Sequence, residues 1–399
     1  GFGKVIEILE KSQARQDVDC NTYKRCGGCN LRHVKYEETL KMKQNAVQSL
    51  VNKTLKNKLQ IKETVGMENP LHYRNKAQYP IGINKKGEPV IGVFANRTHE
   101  VIPIDNCLIQ NKISEEIAKT ILEFIKQNKI SIYNEKTGKG LVRHIVTKVG
   151  IKTGEIMCVI VINGHKIPNE NELVENLKTR YPEIKAIVKN INMKNTNVIL
   201  GQENINLYGN GYIEDILGEY KFKISPLSFY QVNPVQAEKL YNLGVSMAEI
   251  TKNDVVFDLY CGIGTISLFM SKFAKKVYGI EIVEEAVKMA KENAQNNNVS
   301  NTEFFAGDVE IVLDDLINNK GLKADVVMFD PPRKGLDKKS IDNILNIRPK
   351  KIVYISCNPA TLIRDLADFE NEYDIKTIIP VDMFPFTSHV ECVATLQLK

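Results

Sequence analysis

The stretch that decides the fold is Phe257-Asp258-Leu259-Tyr260-Cys261-Gly262-Ile263-Gly264-Thr265. Its first residues predict a buried strand, its glycines a tight turn, and the residues from Thr265 a helix. Strand and helix continue to alternate from Asn233 to the end of the chain. Such alternation is typical of a mostly parallel, doubly wound sheet. We therefore expect a Rossmann-like α/β domain in the second half of the chain.

The glycine turn predicts a nucleoside-binding site. Glycine lets the backbone approach a ligand closely, and Glu281, at the end of the next strand, can accept hydrogen bonds from both ribose hydroxyls. The third small residue of an NAD-binding turn is replaced by Ser267, and Asp258 would repel a pyrophosphate. An acidic loop suits a cofactor with a positive charge, so we predict S-adenosylmethionine.

Two further motifs follow strands of the same predicted sheet. In Phe329-Asp330-Pro331-Pro332-Arg333 the prolines fix a rigid turn that projects Asp330, or neighbouring carbonyls, toward a substrate base. This turn would also suit methylation of an amino group. In Tyr354-Ile355-Ser356-Cys357-Asn358-Pro359-Ala360-Thr361 a cysteine lies between a strand and a helix that Pro359 can open. A free cysteine is usually a small buried apolar residue, but at a strand end it is also a candidate nucleophile.

A cysteine and a carboxylate in one pocket suit methylation of carbon 5 of uracil. That carbon is too electron-poor to attack a methyl sulfonium until a thiolate adds to carbon 6, and a base must later remove the carbon-5 proton. Cys357 is the candidate nucleophile, with its thiolate favoured by a helix N-terminus and by a cation such as Arg364. Glu391, in Ser388-His389-Val390-Glu391-Cys392, is the candidate base. A surface ion pair is the alternative role for Glu391.

Near its N-terminal end the chain contains Cys20-x5-Cys26-Gly27-Gly28-Cys29. Three thiols within ten residues are what a soft metal or an iron-sulfur centre needs. Structural zinc usually has two paired-ligand knuckles, and a second C-x2-C is missing here. A fourth ligand would come from afar, and Cys107 is the only other cysteine before position 158. Three unrelated free thiols are the alternative.

Composition limits the class of protein. Hydrophobic residues make up 43% and charged residues 26% of the 399 residues, as in a globular protein. Residues 1–60 hold 12 Lys or Arg against 6 Asp or Glu, which suits a polyanionic partner or a solvated helix surface. Eight cysteines are too few for a secreted disulfide scaffold. No apolar run reaches the length of a membrane span, so we expect a cytoplasmic protein with no membrane partner.

The middle of the chain, from Asn69 to Phe222, predicts short strands with two helices, an α+β unit. In His72-Tyr73-Arg74-Asn75-Lys76 aromatic and basic residues interleave, which suits RNA contact by Arg74 and Lys76, although an exposed strand start would look the same. Phe2 to Leu9 alternates enough to predict one strand.

The motifs DLYCGIGT, DPPRKGLD, SCNPATLIRDL, HVEC and C-x5-C-x2-C together resemble the RNA uracil-5-methyltransferase family, in particular its iron-sulfur-containing 23S ribosomal RNA branch. The resemblance spans almost the whole chain. It implies that Cys357 is the nucleophile, that Glu391 is the general base, and that the cofactor is S-adenosylmethionine. The residues expected around this cofactor are Gln231, Asp258, Tyr260, Gly262, Gly264, Glu281, Asp308 and Asp330.

The same resemblance implies a [4Fe-4S] cluster on Cys20, Cys26, Cys29 and Cys107, and 23S ribosomal RNA as the partner of a monomeric enzyme. It implies a β-barrel remnant in residues 1–15, a cluster and central RNA-binding domain in 16–30 and 66–210, and a catalytic domain in 31–65 and 211–399. Three other functions remain open. They are methylation of uracil in transfer RNA, methylation of an amino group, and a non-catalytic role as an RNA-binding assembly factor.

Overall fold

The computed structural model describes residues 5–95 and 98–399. The described chain contains two seven-stranded sheets and one two-stranded sheet. Three clusters of buried apolar side chains lie between these sheets and their helices. Within the described ranges, no helix is both long and apolar enough to cross a membrane.

The segment before the first sheet contains two helices, α1 (Tyr23–Cys26) and α2 (Tyr36–Thr54). The single turn α1 belongs to the cysteine-rich stretch, whereas α2 is a longer, amphipathic helix that buries Val47 and Val51. The strand predicted from Phe2 to Leu9 is wrong for residues 5–9, which form no strand, and residues 2–4 lie outside the described ranges. Ile6 and Leu9 are 97% and 91% exposed, because no neighbouring strand pairs with this stretch in the described chain.

The first sheet contains β1 (Lys76–Ile83), β2 (Pro89–Phe94), β3 (Val101–Pro103), β4 (Val142–Val149), β5 (Ile156–Ile162), β6 (Ile184–Ile191) and β7 (Glu203–Tyr208). Their spatial order is β3-β2-β1-β4-β5-β6-β7, with only β5 and β6 parallel among the described pairs. Helices α3 (Lys112–Gln127) and α4 (Glu170–Arg180) cover one face with apolar side chains. This mixed arrangement is the α+β unit predicted for the middle of the chain.

A hairpin of β8 (Ile213–Leu217) and β9 (Tyr220–Ile224) precedes the second sheet. That sheet contains β10 (Val255–Leu259), β11 (Lys276–Glu281), β12 (Thr302–Ala306), β13 (Val326–Phe329), β14 (Lys351–Ser356), β15 (Tyr373–Val381) and β16 (Glu391–Leu398). Its helices are α5 (Pro234–Ala248), α6 (Thr265–Ser271), α7 (Glu284–Asn296), α8 (Val309–Asp314), α9 (Lys338–Ile347) and α10 (Pro359–Phe369), with a π-helical turn at Asp315–Asn319.

The strand order of the second sheet, β12-β11-β10-β13-β14-β16-β15, creates the ligand crevice. From β10 the chain first moves toward β12, and it then returns to β13 on the other side. In an open α/β sheet ligands bind where the strand order reverses, outside the carboxyl ends of the strands. The five strands from β12 to β14 are parallel, and β16 runs antiparallel between β14 and β15. The Rossmann-like fold predicted from the glycine turn is confirmed.

Helix α2 packs on the second sheet, although the first sheet follows it in sequence. Val47 and Val51 are fully buried in the same apolar cluster as Phe369 of α10. The chain after α2 then runs beside β15, where the Val65 amide donates to the Pro380 carbonyl at 2.9 Å. The domain boundaries given above remain a prediction.

Candidate active site

The carboxyl ends of four parallel strands meet at one edge of the second sheet. Leu259, the last residue of β10, pairs with Ile280 of β11 and with Phe329 of β13. Phe329 pairs in turn with Tyr354 of β14. Because parallel strands in register end together, the residues that follow lie along the same edge. These residues include Tyr260, Glu281 and Asp330.

The register of β14 and β16 brings the predicted nucleophile and the predicted base together. These strands are antiparallel and Ser356 pairs with Cys392, so the next facing positions are Cys357 and Glu391. Glu391 is only 5% exposed, and Cys357 is partly buried. A surface ion pair, the alternative role for Glu391, is therefore excluded by its burial.

Helix α10 begins as the sequence predicts, with Pro359 in its first turn and Asn358 as its N-cap. The Asn358 side chain accepts from the Ala360 amide at 3.1 Å and donates to the Arg333 carbonyl at 3.1 Å. Thr361 donates to the same carbonyl at 3.3 Å. These contacts tie the turn after Asp330 to the turn that carries Cys357.

Two carboxyl groups, a thiol and a guanidinium interact in this region. Burial raises the pKa of Cys357, the Glu391 and Asp330 carboxylates raise it further, and the Arg333 guanidinium opposes them. Burial, followed by the nearby Asp330, raises the pKa of Glu391 to about 8, again against Arg333. Burial raises the pKa of Asp330 to about 7. The charges of Asp330 and Arg333 therefore act in opposite directions on the pKa values of Cys357 and Glu391.

The cation beside Cys357 is Arg333, and the expectation for Arg364 is wrong. Arg364 forms an ion pair with Asp365, with N···O distances of 2.8 and 2.6 Å, and donates to the Lys334 carbonyl at 3.0 Å. Arg364 therefore faces back over the turn after Asp330. The sequence did place Arg333 directly after Asp330-Pro331-Pro332, and that adjacency was the signal that sequence reasoning missed.

Next to these groups lies a cavity of about 890 Å³. Such a volume suits a small-molecule cofactor. The predicted cofactor residues that line this cavity are Tyr260, Gly262, Glu281, Asp308 and Asp330. An adjoining pocket of about 60 Å³ is lined by Gln231 and by several of the same residues. Asp330 lines both spaces and is near enough to Cys357 for its carboxylate to raise the pKa of the thiol.

The glycine turn leaves room for a ligand. Gly262 has a φ of +55°, and a Cβ built on it would meet no heavy atom within 4 Å. Its amide donates to one Glu281 carboxylate oxygen at 3.1 Å, and the Val283 amide donates to the other at 3.0 Å. Glu281 is thus held at the cavity wall by two backbone donors, while each oxygen keeps acceptor capacity for a hydroxyl.

Two of the predicted cofactor residues lie behind the cavity lining rather than in it. Asp258 is 1% exposed, accepts a hydrogen bond from the Ser267 hydroxyl, and has one carboxylate oxygen without a partner in the described part of the chain. Burial raises its pKa to about 7, with contributions from Asp330 and Glu281. Gly264 has a φ of +80°, and a Cβ there would lie 3.1 Å from that of Ala290. Both residues shape the turn that the cavity needs.

Comparison with known proteins identifies the family. The sequence profile of the tRNA (uracil-5-)-methyltransferase family matches residues 35–399. The chain belongs to the RNA uracil-5-methyltransferase family. It is 48% identical to an uncharacterized RNA methyltransferase of Clostridium acetobutylicum, over 99% of this chain and 86% of that protein. It is 44% identical to an uncharacterized RNA methyltransferase of Staphylococcus aureus, over 100% of this chain and 88% of that protein.

A solved structure is similar to the whole described fold. The Pyrococcus abyssi tRNA (uracil-54, C5)-methyltransferase, crystallised with S-adenosyl-L-homocysteine, matches with a TM-score of 0.77 and 27% identity, over 98% of this chain and 88% of that one. This chain is accordingly an S-adenosylmethionine-dependent RNA methyltransferase. The buried carboxyl groups around the cavity suit the positive charge of that cofactor.

The four cysteines predicted to hold a cluster in this uracil-5-methyltransferase are partly buried. Burial raises the pKa of Cys29 to about 12, and the neighbouring thiolates of Cys107, Cys26 and Cys20 add to this effect. Cys107 is positioned by Glu115, whose carboxylate accepts from the Asn106 and Cys107 amides at 2.9 and 3.0 Å. Distant parts of the sequence thus bring the four thiols into mutual electrostatic range.

In the described ranges, no three His, Cys, Asp or Glu side chains converge so as to hold one metal ion. The prediction of a metal centre is therefore not confirmed. A [4Fe-4S] cluster takes one cysteine thiolate on each iron, so its ligands surround a volume instead of meeting at one point. The mutual repulsion of the four thiolates is compatible with that arrangement.

The two residues predicted to bind RNA, Lys76 and Arg74, lie in different surroundings. Lys76 lines the large cavity, and its pKa is lowered by burial and by the nearby Arg74. Arg74 has a buried Nε without a partner among the described residues. Sequence reasoning missed Lys148, which lies opposite Lys76 on β4 and donates to the Ser225 and Ser228 carbonyls at 2.7 and 2.9 Å. Burial, followed by Lys76, lowers the pKa of Lys148 to about 7.

Proposed function

We propose that this enzyme methylates carbon 5 of a uridine in RNA through a covalent adduct between Cys357 and carbon 6, and that 23S ribosomal RNA is its substrate. The observation that carries the mechanism is the pairing of Ser356 with Cys392, because Cys357 directly follows the one and Glu391 directly precedes the other. Methylation of an amino group would need neither residue. A nucleophile and a buried base on neighbouring strands are what the adduct mechanism requires.

In the proposed reaction Cys357 adds to the base and later leaves it, and Glu391 takes up the proton. The Cys357 thiolate forms a bond to carbon 6, and the ring electrons move to carbon 5. When bound, S-adenosylmethionine would supply the methyl group that carbon 5 takes up, and the electrons of the broken sulfur–methyl bond would remain on the departing S-adenosylhomocysteine. Glu391 then removes the carbon-5 proton, the electrons of that bond restore the double bond between carbons 5 and 6, and the sulfur leaves as a thiolate.

The electrostatics of the site fit these roles. Arg333 favours the thiolate of Cys357 and the carboxylate of Glu391, because it lowers the pKa of both. A pKa of about 8 is close to the working pH, which is where a general base is most effective. Asp330, which lines the cavity, is the residue that we propose accepts a hydrogen bond from the target base. The base must leave its RNA stack to reach this site, at a cost of a few kcal/mol.

The four cysteines are proposed to hold a [4Fe-4S] cluster. Cys20, Cys26 and Cys29 come from one short segment, and Cys107 comes from the loop held by Glu115. Their partial burial and mutual repulsion support this donor set. Protein prepared without oxygen should be brown and absorb visible light. Stoichiometric zinc, measured by elemental analysis, would contradict the assignment.

The proposed division of the chain follows from these assignments. Residues 16–30 and 66–210 would form the cluster and RNA-binding part, and residues 31–65 and 211–399 the catalytic part, with residues 1–15 as a β-barrel remnant. The packing of α2 on α10 supports the assignment of residues 31–65. Lys76 at the cavity supports an RNA path from the first sheet to the second.

Transfer RNA is the second candidate substrate. The names of the matching family profile and of the similar Pyrococcus abyssi enzyme both give transfer RNA as the substrate. The four cysteines instead favour the ribosomal branch. Mass spectrometric mapping of 5-methyluridine in both RNAs, from cells with and without the gene, separates the two. Loss of the methyl group only from transfer RNA would contradict the ribosomal assignment.

The covalent mechanism has a direct test. RNA containing 5-fluorouridine should remain bound to the enzyme in a denaturing gel, because fluorine on carbon 5 cannot be removed as a proton. Replacement of Cys357 by alanine should abolish both the adduct and methylation, whereas Glu391→Gln should trap the adduct with ordinary RNA. Methylation of RNA by Cys357→Ala would refute the proposed nucleophile.

A further inference from the structure

Residues 19–32, which contain Cys20, Cys26 and Cys29, form the cysteine segment. This segment is hydrogen-bonded directly to residues 382–390, the loop that leads into Glu391. The side chain of Asn30, next to Cys29, makes two hydrogen bonds with Ser388. Its Nδ2 donates to the Ser388 hydroxyl, and its Oδ1 accepts from the Ser388 amide, each at 3.0 Å. The adjacent Leu31 amide donates to the Phe386 carbonyl at 2.9 Å. Residues 30 and 31 therefore bind the loop at two successive points.

A buried arginine strengthens this connection. Arg32 is 5% exposed, and its guanidinium lies 4.0 Å from the centre of the Phe386 ring. The same guanidinium forms a two-point ion pair with Asp19, at 2.8 and 2.6 Å. Phe386 has a φ of +63°, which a bulky residue adopts only when its surroundings impose it. The cysteine segment supplies part of those surroundings.

The start of the same loop is held from other directions. Asp382 is fully buried in an ion pair with Lys43 and accepts from the Tyr36 hydroxyl at 2.8 Å. Gln236 donates to the Asp382 carbonyl at 3.1 Å. Within the described chain, the hydrogen bonds from outside the loop to residues 386–388 come from Asn30 and Leu31. Residues 386–388 thus depend on the cysteine segment for their hydrogen bonds from outside the loop, and Val390, which follows them, is buried in the core.

We infer that Asn30 is a positioning residue, which holds the Glu391 carboxylate in place through Ser388 and so sets the rate at which the RNA adduct is resolved. This inference rests on the proposed function, because it takes Glu391 as the base. Ser388 lies only three residues before Glu391, the first residue of β16, so the position of Ser388 sets the direction from which the chain enters that strand. Cys357 directly follows β14, and its neighbour Asn358 donates to the Arg333 carbonyl, so formation of the adduct is independent of Asn30.

The inference predicts a selective defect. A small displacement of a catalytic group can cost about 10²-fold in rate, and a positioned base is worth about 10²- to 10⁴-fold. Asn30→Ala removes two exposed hydrogen bonds and leaves Arg32 and Leu31 in place, so we expect resolution of the adduct to slow by about tenfold. Adduct formation should keep its normal rate, and the melting temperature should change little because Asn30 is exposed.

The experiment uses the full chain with an RNA transcript that the wild type methylates, and follows the adduct on denaturing gels in single-turnover time courses. Formation and decay are measured separately, since a general loss of structure would slow both. Asn30→Asp is the conservative variant, because its oxygens can accept from both the Ser388 amide and hydroxyl, and it should restore most of the decay rate. Asn21→Ala is the matched control, since Asn21 is an exposed asparagine of the same segment with no hydrogen bond to the loop in the described structure.

The outcomes are distinct. Slow decay with normal formation in Asn30→Ala, rescued by Asn30→Asp and absent from Asn21→Ala, supports the positioning role. The positioning role is refuted, while the proposed function stands, if Glu391→Gln traps the adduct but the adduct of Asn30→Ala decays at the normal rate. The same conclusion follows if Asn30→Ala slows formation and decay of the adduct equally. If Glu391→Gln releases RNA as fast as the wild type, the base assignment itself fails, and the role of Asn30 fails with it.

Discussion

Replacement of Glu391 by glutamine should stabilise the fold at alkaline pH, although it removes the proposed base. Glu391 is 5% exposed. Burial, followed by the nearby Asp330, raises its pKa from the usual 4.5 to about 8, against the opposing Arg333 cation. The protein therefore holds a carboxyl group that resists ionisation when folded. Glutamine has nearly the same shape and cannot ionise.

The pKa values set the size and the sign of the effect. Below pH 4.5 the carboxyl group is protonated in both the folded and the unfolded chain, so its ionisation does not alter stability. Between pH 4.5 and 8 only the unfolded chain releases this proton, so the free energy of unfolding falls as the pH rises. Each pKa unit corresponds to about 1.36 kcal/mol, so the loss above pH 8 approaches about 5 kcal/mol. Glu391→Gln avoids this loss.

Urea unfolding at pH 5 and pH 9 measures the difference. The chain contains no tryptophan, so far-ultraviolet circular dichroism is the suitable signal. The variant and the wild type should unfold at similar urea concentrations at pH 5, and the variant should be more stable by several kcal/mol at pH 9. Glu63→Gln, at an exposed glutamate, is the control and should behave as wild type at both values. A variant no more stable than the wild type at pH 9 would show that the buried carboxyl group is not held in its protonated form.

Three further predictions follow from the same geometry. Iodoacetamide should alkylate Cys357 faster as the pH rises beyond the usual thiol range, because burial raises the pKa of this thiol, and mass spectrometry measures the rate. Arg333→Gln should slow the alkylation further at a given pH, because the Arg333 cation opposes that rise. An unchanged alkylation rate in that variant would exclude Arg333 as the relevant cation. Lys43→Met should lower the free energy of unfolding by about 3–5 kcal/mol, because it leaves Asp382 unpaired in the interior, and a second change, Asp382→Leu, should recover most of the loss in the same measurement. Glu281→Gln should weaken binding of S-adenosylhomocysteine by about tenfold or more in calorimetry, because a charge-assisted hydrogen bond contributes about 1.5–3 kcal/mol. If the variant and the wild type bind it with equal affinity, the ribose does not contact Glu281.

Local patterns predicted the elements of the second sheet well. The apolar run before Gly262 became β10, and α6 begins at Thr265 as predicted. Pro359 opens α10 because its missing amide hydrogen and fixed φ cost nothing in a first helical turn. These features depend on a few neighbouring residues, so the sequence carries them directly.

The arrangement of the site depended on tertiary pairing that local patterns do not contain. Glu391 was predicted as the base from its motif, and it comes near Cys357 because β16 returns antiparallel between β14 and β15. Arg364 was expected near the thiol, but helix α10 turns it toward Asp365 and the preceding loop. The strand predicted in the first ten residues failed, in the part that is described, because alternation alone does not provide a partner strand.

The position of helix α2 has a consequence for how the protein is made. Its partner α10 begins about 300 residues later in the chain. At a synthesis rate of about 5–20 residues per second, α2 waits roughly 15–60 s before that partner leaves the ribosome. During this interval the apolar side of α2, with Val47 and Val51, has no surface to bury it. Biogenesis of this enzyme should therefore depend on chaperones that shelter short apolar segments of a nascent chain.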